Sequence, residues 1–119
     1  MLQLTPHHRL LVAIAPIDFR RGIDGLMALC RQQLVDDPFS GTVFVFTNRA
    51  RKGVKLLMYD GNGFWLCYKR FSKGRLSWWP THTDATVKLH ATQLHVLLAQ
   101  GEPTHLNLPD DWRKLYHAA

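Results

Sequence analysis

The chain has 119 residues, 46% of them hydrophobic and 20% charged, the balance of one folded domain with room for a single core. No run approaches the roughly 20 apolar residues that span a bilayer, and two cysteines, Cys30 and Cys67, are too few for a disulfide framework. The formal net charge is +6, from 15 Lys+Arg against 9 Asp+Glu, and it is unevenly spread.

Leu10 to Ala15 is a compact apolar run stopped by Pro16. It is short for the roughly 7–15 apolar residues of a signal peptide, so it reads as a first buried strand in a cytoplasmic protein. Asp18 is placed to cap the helix that follows. Ile23, Leu26, Met27, Cys30 and Leu34 recur at helical spacing and predict one apolar stripe. Asp36 to Gly41, with Pro38 inside it, is a turn. Thr42 to Thr47 is β-branched or aromatic throughout and predicts a strand. Asn48 to Gly53 is a basic hairpin tip, Val54 to Tyr59 runs back, Asp60 to Gly63 turns again, and Phe64 to Phe71 is a third strand.

Ser72-Lys73-Gly74 leads into a fourth strand of this series, Arg75 to Trp79, stopped by Pro80. Thr83 to Leu89 is a further strand or an extended arm. Ala91 to Gln100 carries Leu94, Leu97 and Leu98 and predicts a short helix ended by Gly101. Cys30 and Cys67 lie amid apolar neighbours and are expected as buried free thiols in a reducing compartment. The predicted fold class is α+β: an antiparallel β-meander sheet with one long helix packed on a face and a short C-terminal helix. Residues 1–103 form a single domain and 104–119 a loosely held tail.

The charge excess sits between Arg49 and Arg75. That stretch holds Arg49, Arg51, Lys52, Lys55, Lys69, Arg70, Lys73 and Arg75 against one acid, Asp60. Removing them leaves seven bases and eight acids, a nearly neutral remainder. Concentrated positive charge interleaved with aromatic residues fits a surface that meets a polyanion. Trp78 and Trp79 are candidates for stacking on a base, worth about 1–3 kcal/mol each, or for docking a partner. Neighbours in a strand point opposite ways, so at least one of the two is expected in the core.

The seven histidines lack the close spacing of metal sites, so no metal is expected. Each acid has a local turn or cap role. Gly-x-Ser-x-Gly and phosphate-cradling glycine loops are absent, so neither catalysis nor a cofactor is expected.

Two strings, Asp18-Phe19-Arg20-Arg21-Gly22-Ile23-Asp24-Gly25-Leu26 and Asp37-Pro38-Phe39-Ser40-Gly41, resemble the small accessory protein of insertion-sequence-66-type transposons. The likeness continues through Phe44 to Arg49, Leu57 to Phe64, Tyr68 to Arg75, Trp79-Pro80 and Leu94 to Gly101. It thus covers most of residues 10–101. This family is the element's second reading frame, often called TnpB-like and distinct from the RNA-guided nuclease that shares the label. The resemblance implies a bacterial protein encoded beside a separate transposase, which carries the strand-cutting carboxylates. His90 stands where the family tends to have a hydroxyl-bearing helix cap.

These readings converge on a non-enzymatic accessory protein that contacts DNA through its basic hairpins, with the element's transposase as a further partner. The alternative is an adapter that docks on the transposase or self-associates as a homo-oligomer without touching DNA. A third reading is RNA binding by aromatic stacking.

Overall fold

A computed structural model of the chain describes residues 8–103, so the tail expected over 104–119 lies outside the described residues. The elements run β1 (Leu10–Ala13), α1 (Ile23–Gln32), β2 (Val43–Thr47), β3 (Gly53–Tyr59), β4 (Phe64–Arg70), β5 (Thr86–Leu89) and α2 (Ala91–Leu98). The strands form one sheet in the order β4-β3-β2-β1-β5.

The fold class is α+β, but the sheet is mixed rather than a pure antiparallel meander. β2, β3 and β4 are joined by hairpins and pair antiparallel, with Phe44 opposite Leu57 and Leu56 opposite Cys67. β1 pairs parallel to β2, Leu11 opposite Phe44. The connection between them crosses over through α1, which is what a parallel pair requires. β5 then closes the far side antiparallel to β1, Val12 opposite Val87.

Both faces of the sheet are covered, and this explains why β1 and β2 read as unbroken apolar runs instead of alternating. On one face Leu11, Ala13, Phe44, Phe46 and Leu57 pack against Leu26, Leu29 and Cys30 of α1. On the other, Leu10, Val12, Val43, Val45, Val54, Leu56 and Met58 meet Leu94 and Leu97 of α2, with Phe71, Leu76 and Trp79. Phe44 and Phe46 are fully buried, each a stabilisation of about 1.5–3 kcal/mol.

Three local expectations are corrected. Arg75 to Trp79 is not a strand: after Gly74, at φ +68, the chain leaves the sheet plane and folds across the α2 face. Leu76 and Trp79 are buried there, and the Trp79 indole Nε1 donates to the carbonyl of Ala13 at 3.1 Å. The helix expected to be long has ten residues. It is also not capped by Asp18, whose carboxylate accepts instead from the Arg20 amide at 2.9 Å and pairs with the Arg20 guanidinium at 2.7 Å. Those bonds hold the Asp18 carboxyl down at about 2, and extended Gly22 fills the cap position.

The last helix begins at His90, whose amide donates to the Gln93 side chain at 2.8 Å, one arm of a capping box. At its other end the amides of Gln100 and Gly101 donate to Leu97 and Val96 carbonyls, a Schellman closure. The left-handed position is Gln100, φ 65, rather than Gly101.

Candidate nucleic-acid interface

Two basic segments meet at one end of the sheet. The β2–β3 turn is shaped by Asn48: its carbonyl accepts from the Arg51 amide at 3.0 Å, and its Oδ1 accepts from the Lys52 amide at 3.2 Å. Arg51 takes a left-handed φ of 56 there. The chain leaving β4 is then bonded to this turn, Phe71 N–H to the Lys52 carbonyl at 3.0 Å and Leu76 N–H to the Arg51 carbonyl at 2.8 Å. From below, Gln100 Nε2 donates to the carbonyls of Lys73 and Arg75, at 2.9 and 3.1 Å, and fixes the second turn.

The result is an open depression of about 440 Å³ lined by Lys52, Arg70 and Arg75 with Phe71, Ser72 and Gly74. Arg49, Lys52, Arg70, Lys73 and Arg75 are exposed, and Arg51 is half-buried at the root of the first turn. Among the described residues Arg9 pairs with Asp36 and Arg20 with Asp18, and His82 Nδ1 accepts from the Asp84 amide at 3.0 Å. None of these contacts involves the eight candidate bases. Several cations around one hollow repel each other and are relieved by an anion.

Lys55 is withdrawn from this surface. It is 7% exposed, and its ammonium donates to the carbonyls of Phe19 and Arg21 at 2.6 and 3.0 Å and lies over the Phe19 and Tyr68 rings. Lys69 is exposed, yet its ammonium donates to the Leu98 carbonyl at 2.6 Å, completing the C-terminal end of α2. Lys55 is opposite Tyr68 and Lys69 opposite Val54, so these two lysines project from opposite faces of the sheet. The eight bases therefore do not form a single patch. Six gather at one end and two are engaged elsewhere.

The two tryptophans differ in exposure. Trp79 is buried, and Trp78 is half-buried against the α2-side core. The exposed ring near the basic end is Tyr68, 53% accessible and edge-on to Phe19 at 5.3 Å between centroids. The charge window between Arg49 and Arg75 also leaves out Arg20 and Arg21. The Lys55 bonds draw Phe19 to Arg21 over the same region of the sheet, and both arginines are exposed there. Their adjacency in the sequence was the available signal.

Among the described residues no group of three or more His, Cys, Asp or Glu side chains could hold a metal ion. No helix among them is long and apolar enough to cross a membrane.

A family model described as IS66 Orf2 like protein matches residues 8–107. Two curated proteins of Sinorhizobium fredii (strain NBRC 101917 / NGR234) are similar along their length. The uncharacterized protein y4jC is 33% identical over 91 residues, 76% of this chain and 77% of the relative. The uncharacterized protein y4hO is 30% identical over 113 residues, 95% of this chain and 96% of the relative. No solved structure matches.

Proposed function

Because this chain belongs to the IS66 Orf2-like family, we propose that it is a non-enzymatic accessory protein of transposition that grips a DNA backbone with the basic end of its sheet. The observation that carries this reading is the shared hollow of Lys52, Arg70 and Arg75, whose two turns are hydrogen-bonded into one rigid unit. Arg49, Arg51 and Lys73 extend it on either side. Lys55 and Lys69 have structural partners and drop out of the contact set. Charge of this kind positions a duplex without reading its sequence. The transposase of the same element remains the protein partner implied by the family.

The test is duplex binding followed by fluorescence anisotropy across a salt series. With five or so phosphates neutralised, log K should fall against log salt with a slope of about −4 to −5. Replacing Lys52, Arg70 and Arg75 together by Ala should flatten the slope by about 3. A salt-independent affinity, or no duplex binding at low salt, defeats the proposal.

A further inference from the structure

β4 is an edge of the sheet, and at seven residues it matches the longest strand in the protein. The bonds flanking its pairing with β3 have one parity: Asp60 N–H to the Gly63 carbonyl and Phe71 N–H to the Lys52 carbonyl, both at 3.0 Å. In an antiparallel ladder the bonded pairs alternate. Odd-numbered residues of β4 thus bond inward to β3. The amides and carbonyls of Phe64, Leu66, Tyr68 and Arg70 face away from the sheet.

The side chains along this edge are ordered in a particular way. Phe64 and Trp65 open the strand, Lys69 and Arg70 end it, and Cys67 is central. We propose that β4 pairs antiparallel with β4 of a second copy about a two-fold axis at Cys67, joining two sheets into one of ten strands.

In that register Phe64 faces Arg70 of the second copy, Trp65 faces Lys69, and Leu66 faces Tyr68. Phe64 and Trp65 each meet a basic residue, Tyr68 meets Leu66, and no cation meets another. Arg70 on the Phe64 ring is an attraction of cation to ring. Lys69, whose ammonium is held by the Leu98 carbonyl, covers Trp65 with its aliphatic stem. Directly opposed side chains are the unit of sheet stabilisation. The outward backbone groups of Phe64, Leu66, Tyr68 and Arg70 become the bonded pairs, so backbone parity and side-chain chemistry select the same register. Lysine and arginine at an edge ordinarily discourage pairing between sheets. Here they do so for every register except those that bring them to rings. A parallel arrangement would place Lys69 and Arg70 beside their own copies and is disfavoured.

The two Cys67 residues then form a non-bonded pair, whose Cα atoms stand roughly 4.5 Å apart, within reach of a short cross-link. Cys67 is half-buried and free, and Cys30 is fully buried and supplies an internal control. None of this requires contact with DNA.

The experiment uses the full chain. Sedimentation equilibrium should show a concentration-dependent dimer, and a short bismaleimide should link Cys67 to Cys67 within it. Cys67→Ser should abolish the link. Trp65→Lys places like charges opposite each other twice per dimer and should weaken association by about tenfold. Adding Lys69→Glu to that variant should restore it. A chain that stays monomeric at all concentrations overturns the proposal. So does a dimer that fails to link through Cys67, a result read on the unmodified sequence whatever the variants do to folding.

Discussion

The ammonium of Lys55 lies 2.6 Å from the carbonyl oxygen of Phe19, buried within the fold while Arg49, Lys52, Lys73 and Arg75 of the turns are exposed. This contact fastens the segment before α1 onto the middle of β3. Replacing Lys55 by Met keeps the aliphatic stem but strands two carbonyls, those of Phe19 and Arg21. The cost should be about 1–3 kcal/mol, seen as a lower urea midpoint. The salt slope of DNA binding should be unchanged. A flattened slope with intact stability would return Lys55 to the contact set.

Gln100 sits at φ 65 while its amide holds the Lys73 and Arg75 carbonyls. Left-handed backbone costs a non-glycine residue roughly 1–2 kcal/mol, and two hydrogen bonds return about 0.5–1.5 kcal/mol each. Gln100→Ala keeps the strain and loses both bonds, so it should destabilise by about 1–3 kcal/mol. Gln100→Gly should recover about 1 kcal/mol of that. Both variants should bind DNA more weakly, because the turn bearing Lys73 and Arg75 is released in each.

Trp79 tests the stacking idea directly. Trp79→Phe preserves most of the buried ring and removes the Nε1 bond to the Ala13 carbonyl. Stability should fall by about 1–3 kcal/mol, with affinity for single-stranded and duplex probes unaltered.

Burial pushes the Cys30 thiol up to about 12 from 9.0, with the Asp36 carboxylate adding to the shift. The unfolded chain loses that proton first, so the folded state is disfavoured as pH rises. The contribution is intact below pH 9 and is lost between about 9 and 12. Thermal melts across that window should steepen relative to a Cys30→Ala variant. At pH 8 a thiol reagent should label Cys67 readily and reach Cys30 only on unfolding.

The three-strand core of the sheet was legible because Asn48–Gly53 and Asp60–Gly63 are local turns between β-rich runs, and a hairpin is specified by its neighbours in sequence. The parallel pairing of β1 with β2 was not, since nothing in Leu10–Ala13 encodes which distant strand it will meet. Leu76 and Trp79 misled because alternating large apolar residues look alike whether they enter a sheet or cross it. The basic end was legible as charge but not as geometry. Lys55 and Lys69 share a sign with Arg70 and Arg75, yet only register across β3 and β4 determines that the first two turn to opposite faces.

β1 lies between β2 and β5, with partners that begin at Val43 and Thr86. On a ribosome it emerges ahead of both and must wait, while the β2–β4 hairpins can close as soon as they clear the exit tunnel. Its second neighbour is complete only after Leu89, so the protein's most hydrophobic ribbon is the one exposed longest during synthesis, the interval in which nascent chains are vulnerable to clumping.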